Sequence, residues 1–251
     1  MDNSPARTST TTDHLFVATA DWHAAWPGAV AGALMMRGLA NPDRHDGIDA
    51  ARAQAETLLR ERYADRDRAD LRATPPLPAY DAYYHRFGQT YHVLLQLESV
   101  ALKGKSLPRR PPLVEAMFLA ELGSLILTAG HDLATLQLPV VVDVAGSDEH
   151  YLGIGGKDQT CKPGDFLMRD GASIVCSIIQ GPDDRTKITP ATREALFAVY
   201  APPGIGAEPV RRHLEALAAN ARLISPDAEV VELMTICADA DADFPGLETL
   251  G

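Results

Sequence analysis

The spacing of apolar residues divides the chain into a mostly helical first part and a strand-rich second part. Up to Gly130, many apolar residues recur every three or four positions, which is the period of a helix with one buried face. From Pro139 onward they come in short runs separated by Gly, Pro and Asp, which is typical of strands. Helices are predicted at 27–37, 49–65, 92–102, 107–133 and 208–222. Strands are predicted at 14–19, 139–144, 150–155, 165–170, 173–180, 195–201 and 229–236. This order predicts an α+β fold, with helices first and then a mixed, strand-rich sheet core.

The most apolar stretch, Leu107–Leu133, is predicted to be one buried helix. Two prolines near its start can occupy a first helical turn, where the missing N–H would be unpaired anyway, and Gly130 suits a left-handed cap. The polar residues at its two ends are Arg109, Arg110, His131 and Asp132. Polar groups that bracket a buried element fit a functional site. They fit a solvated start and a simple turn equally well, and this stretch alone does not separate the two interpretations.

Length and composition are those of a globular protein with one large domain or two small ones: 251 residues, of which 46% are hydrophobic. We expect a disordered tail at 1–12, a single α+β domain at 13–238 and an acidic tail at 239–251. The segment 67–78 is charged and then rich in proline. It is compatible with a domain boundary or with a surface crossing inside one fold.

Charge and cysteine content restrict the partners and the compartment. The formal net charge of −11 disfavours strong non-specific binding to nucleic acid, but it leaves room for a local basic patch. Three cysteines, an odd number, and the absence of a signal-peptide pattern favour a reducing cytoplasm. No apolar run reaches the roughly 18 to 20 residues of a membrane span, so no membrane association is expected. Scattered histidines without ligand spacing predict no metal, and we expect no cofactor.

The short motifs that mark several large enzyme classes are missing from the sequence. There is no GxSxG, Walker A, HExxH or EF-hand pattern. The most informative polar segment is 180–192, QGPDDRTKITPAT, which lies between two apolar strands. It carries hydrogen-bond donors and acceptors and side chains of both charges. Gly181 would let a ligand approach the backbone closely. Composition alone is equally compatible with a structural loop.

The order of three short motifs carries a resemblance to a known family. Residues Arg110–Glu115 (RPPLVE), Pro163–Asp170 (PGDFLMRD) and Arg185–Thr192 (RTKITPAT) follow one another in the expected sequence. Together they resemble freestanding relatives of the tRNA-editing domain, the B-three/B-four domain, of the phenylalanyl-tRNA synthetase β subunit. The resemblance covers about residues 85 to 202.

This resemblance implies an α+β fold with a cleft, and an activity on esters of tRNA. In the synthetase, the domain hydrolyses the ester of tyrosine wrongly joined to phenylalanine tRNA. The glutamate that contacts the tyrosine hydroxyl there falls near Ala198 or Val199 here, so the resemblance does not extend to tyrosine specificity. The remaining parts of a synthetase are missing from this sequence, and no synthetase activity is expected. The expected substrate-binding residues are Arg109, Arg110, Glu115, Asp132, Gly181, Arg185, Thr186 and Thr189.

Two functions are compatible with these features. One is a trans-editing deacylase of mischarged aminoacyl-tRNA, in which His131 positions or deprotonates a water and the arginines meet the phosphates of the tRNA acceptor end. The other is a non-catalytic binding module of the same fold, for tRNA or for an amino-acid-like or nucleotide ligand. DNA is not an expected partner of either.

Overall fold

The structure is a computed structural model that describes residues 15–238. The two tails predicted at 1–12 and 239–251 lie outside the described residues. Within the described range, no helix is both long enough and apolar enough to cross a bilayer.

Helices cover much of the first half and one long segment near the end. They are α1 Ala20–Ala25, α2 Asp46–Arg62, α3 Arg68–Arg72, α4 Leu77–Arg86, α5 His92–Ala101, α6 Pro112–Ser124 and α7 Ala207–Ile224. The helices predicted at 49–65, 92–102 and 208–222 are confirmed as α2, α5 and α7. Each buries one face and exposes the other, and this produces the three-to-four-residue period.

The strands form two larger sheets and one hairpin. They are β1 Phe16–Ala18, β2 Val30–Arg37, β3 Thr128–Asp132, β4 Val140–Val144, β5 His150–Gly153, β6 Lys157–Thr160, β7 Phe166–Arg169, β8 Ile174–Ser177, β9 Gly181–Pro182, β10 Glu194–Ala201 and β11 Glu229–Cys237. The five-stranded sheet has the order β1-β4-β7-β8-β9, and the four-stranded sheet has the order β11-β2-β10-β3. Strands β5 and β6 pair with each other. The predicted α+β class is confirmed.

The prediction of a helix at 27–37 is wrong, because this segment is the interior strand β2. It pairs with β10 on one side and with β11 on the other. Nearly all of its side chains are buried on both faces of the sheet, so its apolar residues do not alternate with polar ones. A continuous apolar run of this length does not distinguish a buried strand from a buried helix.

The single helix predicted at 107–133 is also wrong in its second half. Helix α6 ends at Ser124, and Leu125 takes the left-handed conformation, with φ 63°, that usually selects glycine at a helix end. The chain then enters β3, so Gly130 is a strand residue rather than a cap. Because both segments are buried, the apolar pattern runs through the turn without a break. The turn sets β3 beside the helix from which it emerges.

Packing of these elements leaves a cleft on one side of α6. Helix α7 packs on β2 and β11, and α6 packs on α7 and β3. The two larger sheets meet through Phe166 on β7 and Tyr200 on β10, whose ring centroids are 5.2 Å apart. The β8–β9 connection thereby comes to face α6 across an open space.

Candidate functional site

A cleft of about 520 Å³ separates α6 from the β8–β9 connection. Its walls are mostly apolar side chains from α6, from the start of β3 and from the segment after β8. The residues with polar side chains along it are His92, Gln96, Arg110, Glu121, Thr128, Ser177, Gln180, Lys187 and Tyr200. A mostly apolar cleft of this size with a few polar groups is typical of sites for small molecules.

Glu121 is the carboxyl group of the cleft. Its side chain is buried, and its Oε1 accepts a hydrogen bond of 2.8 Å from the main-chain N–H of Thr128. Burial raises the pKa of Glu121 to about 8, against the opposing effects of that N–H and of the positive charge of Arg110. The carboxyl is therefore mostly protonated at neutral pH, and it becomes half ionised about one pH unit above neutrality.

Arg110 supplies the positive charge at the rim of the cleft. Its guanidinium lies 3.7 Å from the centroid of the Phe118 ring, and its Nη1 donates to the carbonyl of Pro108 at 3.2 Å. Burial lowers the pKa of Arg110, while Glu115 and Glu121 act in the opposite direction. Because a guanidinium stays protonated in proteins, Arg110 is a fixed cation held by the aromatic ring.

The inner end of the cleft carries the hydroxyl of Tyr200 and the thiol of Cys176. Burial raises the pKa values of both groups well above their ordinary values, so neither ionises near neutral pH. Among residues 15–238, the Gln96 side-chain oxygen is a buried atom without a hydrogen-bond partner, whereas the Tyr200 hydroxyl interacts with the thiol of Cys176. Unpaired polar atoms that line a cavity are the groups a bound ligand would satisfy.

Gly130 gives the cleft its width at β3. A Cβ on this residue would lie 2.6 Å from Cδ1 of Ile188 and 3.2 Å from the sulfur of Met117, both of which line the cleft. Any larger residue would push these two side chains toward the open space.

Two of the predicted site residues line the cleft, and seven do not. Arg110 and Gly181 lie on its wall. Gly181 adopts φ 83°, and its carbonyl accepts a hydrogen bond from the hydroxyl of Tyr151. The predicted residues that lie elsewhere are Arg109, Glu115, His131, Asp132, Arg185, Thr186 and Thr189.

His131 lies in β3 but is fully buried away from the cleft. Its Nδ1 is 2.7 Å from Oγ1 of Thr186, and the Thr186 hydroxyl also contacts a carboxylate oxygen of Asp183. Because a carboxylate has no proton to give, the Thr186 hydroxyl donates to Asp183 and the Nδ1–H of His131 donates to Thr186. Burial lowers the pKa of His131 to about 4. The histidine is thus neutral at physiological pH and ties β3 to the segment after β9.

Two of the predicted residues, Asp132 and Arg185, hold loops in place. Asp132 accepts hydrogen bonds from the Thr192 hydroxyl at 2.7 Å and from the Ala134 N–H at 3.1 Å. Arg185 donates to both oxygens of Asp170 at 2.8 Å. These contacts tie the polar segment 180–192 to the end of β3 and to the turn between β7 and β8, which is the structural alternative that its composition left open.

Three predicted residues lie next to the cleft rather than in it. Arg109 forms an ion pair of 2.9 Å with Asp49. Glu115 is buried and accepts the main-chain N–H of Arg110 at 3.1 Å. The carbonyl of Thr189 accepts from the side chain of Asn41 at 3.0 Å.

Sequence reasoning missed Glu121, Gln96 and Tyr200 as candidate site residues. Glu121 was visible only as an interruption of an apolar stretch, although a carboxylate inside an apolar helix is itself a signal of a specific role. Gln96 and Tyr200 lie in elements that are far apart in sequence and carry no motif. Within residues 15–238, no group of three or more His, Cys, Asp or Glu side chains could hold a metal ion.

Comparisons with known proteins find similarity to solved structures. The chain is similar to an N-terminal fragment of the phenylalanyl-tRNA synthetase β subunit from Pyrococcus horikoshii, with 10% sequence identity and a TM-score of 0.46. The similarity covers 89% of this chain and 52% of that one, so this chain spans about half the length of its structural neighbour. No protein-family model and no curated protein sequence matches the chain. The function of the cleft therefore has to be inferred from its own side chains.

Proposed function

We propose that the chain hydrolyses an ester between an amino acid and the 3′ end of a tRNA, with the reacting ester held in the cleft beside Glu121. The observation that carries the proposal is the position of Glu121, a buried carboxyl that lines a mostly apolar cleft whose rim carries the fixed cation Arg110. A volume of about 520 Å³ is within the range of sites for ligands the size of an aminoacyl nucleoside.

The chemistry needs one proton acceptor, one water and a group that stabilises negative charge. In the ionised form, Glu121 takes a proton from the water, and the resulting hydroxide adds to the ester carbonyl carbon. The guanidinium of Arg110 stabilises the oxyanion of the tetrahedral intermediate. The bond to the 3′ oxygen then breaks, and that oxygen leaves with the proton held by Glu121. The products are the free amino acid and the uncharged 3′ end.

The choice of tRNA comes from the sequence rather than from the shape of the cleft. The order of the three motifs in Arg110–Glu115, Pro163–Asp170 and Arg185–Thr192 resembles the editing domain. Two of these motifs supply or adjoin cleft residues, because Arg110 lines the cleft and Lys187 lies in the third motif.

His131 has a positioning role in this proposal. It does not touch the cleft, and its neutral ring fixes Thr186 and β3. Glu121 takes over the proton transfer that the sequence had assigned to the histidine.

A second function, binding without catalysis, is favoured by one observation. Glu121 is mostly protonated at neutral pH, and a neutral carboxyl in an apolar cleft donates a hydrogen bond to a ligand rather than accepting a proton from water. The ligand would then be an amino-acid-like or nucleotide molecule, or an uncharged tRNA end.

The two functions are separated by release of amino acid from a panel of mischarged tRNAs. Wild-type protein should release amino acid from at least one member, and Glu121→Gln should lower that rate by about 100-fold or more. Glu98→Gln is a matched control, because Glu98 is also buried but pairs with Arg68 outside the cleft. If no member of the panel loses its amino acid above the buffer rate, the hydrolase proposal is wrong. If wild type binds a tRNA tightly and slows the loss of its amino acid, the binding function replaces the hydrolase proposal.

A further inference from the structure

A second, smaller crevice adjoins the cleft at Arg110. It has a volume of about 250 Å³ and lies between the start of α2 and the segment that leads into α6. Its lining consists of Asp43, Arg44, His45, Ile48, Asp49, Arg109, Arg110, Pro112 and Glu115. Three arginines and three carboxylates share this small space.

Guanidinium groups converge on one carboxylate beside this crevice. Asp49 lies 2.9 Å from Arg109, 3.0 Å from Arg52 and 3.5 Å from Arg44. Four arginines, Arg44, Arg52, Arg109 and Arg110, lie here against three carboxylates, Asp43, Asp49 and Glu115, and Glu115 is 3.6 Å from Arg52. The cluster therefore retains an excess of one positive charge, with donor N–H groups for a further anion.

Several polar atoms around the crevice lack partners. Among residues 15–238, the buried atoms without a hydrogen bond include Oε1 of Glu115 and Nδ1 of His45, whereas Nη1 of Arg52 forms an ion pair of 3.6 Å with Oε2 of Glu115. The Glu115 side chain is only 1% exposed and lines the crevice. A buried carboxylate oxygen that accepts nothing is a site for a donor brought by a ligand.

The amino terminus of α2 opens at the same place. This helix is 17 residues long, and its first residues border the crevice. No side chain caps its first-turn N–H groups, since His45 makes no capping hydrogen bond. Uncapped N–H groups at a helix start attract anions.

Arg110 is shared by the crevice and the cleft. It lines both spaces, and together with Arg109 it also lines a shallow outer groove that passes Pro42 and Pro190. A chain-like ligand whose end occupies the cleft would therefore pass through the crevice as it leaves.

We infer that the crevice binds the ribose-phosphate unit that precedes the terminal nucleoside of an RNA, with Arg44 and Arg109 on the phosphate and Glu115 accepting a ribose hydroxyl. This inference rests on the proposed function, because the terminal nucleoside is the one placed in the cleft. The carboxylate of Glu115 favours RNA over DNA, since only RNA offers the 2′-hydroxyl donor. Asp49 competes with the phosphate for the arginines.

Binding of a labelled, short single-stranded RNA that ends in CCA tests the inference, with fluorescence anisotropy as the readout. Arg44→Ala and Arg109→Ala should each weaken binding by about 5- to 10-fold. Each should also reduce the slope of log affinity against log salt by about 0.7. Asp49→Asn should tighten binding several-fold, because it frees the arginines. Arg211→Ala is the matched control, since that arginine pairs with Glu208 and Glu215 on α7, and it should bind as wild type does.

Three results would overturn the inference. The first is equal affinity of wild type and the two arginine variants. The second is weaker binding by Asp49→Asn. The third is displacement of the RNA by adenosine monophosphate or inorganic phosphate at the concentration at which unlabelled RNA displaces it, which would assign the crevice to a free phosphate compound. DNA of the same sequence should bind several-fold more weakly, and equal binding would contradict the role of Glu115.

The anisotropy assay separates this inference from the proposed function, because it needs no catalysis. A protein that deacylates tRNA but shows no effect of the arginine variants lacks the crevice site and keeps the hydrolase function. A protein that shows the variant pattern but releases no amino acid has the RNA site and lacks the hydrolase function.

Discussion

The main-chain N–H of Thr128 donates to Oε1 of Glu121 at 2.8 Å, across the turn between α6 and β3. This bond fixes the carboxyl on the wall of the cleft. Within residues 15–238 the carboxyl makes no other hydrogen bond, so the rest of its capacity is available to a ligand or a water. The left-handed Leu125 brings the two partners together, because it reverses the chain directly after the helix.

Filling the cleft at β3 should remove activity without unfolding the protein. In Gly130→Val, the added atoms meet Ile188 and Met117 at less than contact distance and displace them into the cleft. We expect kcat/KM for the ester to fall by at least about 10-fold. Gly123→Ala is the control, because a Cβ there meets nothing within 4 Å. Wild-type activity in a folded Gly130→Val protein would show that the substrate does not occupy this cleft.

Removal of the arginine at the rim should shift the pH dependence of the activity upward. The positive charge of Arg110 lowers the pKa of Glu121, so Arg110→Ala should raise that pKa further above about 8. The rate should then reach its plateau at a higher pH, and the plateau itself should be lower because the oxyanion loses its cation. Arg86→Ala serves as the control, since Arg86 also stacks on an aromatic ring, Trp26, but lies outside the cleft. If the pH–rate profile of Arg110→Ala is not shifted, the arginine does not influence the pKa of the group that titrates.

His131→Asn tests whether the histidine positions or catalyses. The asparagine amide can keep the hydrogen bond to Thr186, so the activity should stay within about 10-fold of wild type and the apparent pKa of the pH–rate profile should not move. A loss of about 100-fold or more with normal folding would restore the catalytic role that the sequence predicted.

The variant His131→Asn should also lose less stability than wild type as the pH falls. The pKa of His131 is lowered to about 4, so the neutral ring contributes stability that is complete above pH ~6.5 and lost as the pH falls toward 4. The difference in free energy of unfolding between wild type and His131→Asn should therefore shrink between pH 7.5 and pH 4.5, as measured by urea denaturation. A difference that does not depend on pH would mean that the histidine is not buried in its neutral form.

Glu121→Gln should show the opposite dependence on pH. The pKa of Glu121 is raised to about 8, so its contribution to stability is complete below pH ~4.5 and is lost as the pH rises through 8. The neutral amide avoids a buried charge, and we expect the variant to gain stability relative to wild type by about 2–4 kcal/mol between pH 5 and pH 9. Urea denaturation at the two pH values measures this gain, with Glu98→Gln as the control. If the difference in free energy of unfolding between the variant and wild type is the same at both pH values, the Glu121 carboxyl is exposed to water.

The fold was predictable where burial is one-sided. Helices α2, α5 and α7 each have one buried and one exposed face, and their period identified them. Strand β2 is buried on both faces and was mistaken for a helix. The turn at Leu125 was missed because a leucine in the left-handed conformation carries no sequence signal, unlike the glycine expected there.

The site was predictable only in part, because the cleft joins elements that are distant in sequence. Arg110 and Gly181 were identified from a motif and from a polar segment, and both line the cleft. His131 was expected there as well, but alternation along β3 turns its side chain to the opposite face from Gly130. Glu121 has no motif around it, and its role follows from burial and from Thr128, neither of which the sequence displays.

The most direct test of the central claim is the pH dependence of single-turnover deacylation by wild type and Glu121→Gln, on a tRNA that wild type deacylates. We expect the wild-type rate to rise with pH, by up to 10-fold per unit, and to level off near pH 8 as Glu121 ionises. In Glu121→Gln, the rate should be at least about 100-fold lower and should show no step near pH 8. A wild-type profile without that step, or a Glu121→Gln rate equal to wild type, would contradict the claim that this carboxyl activates the water.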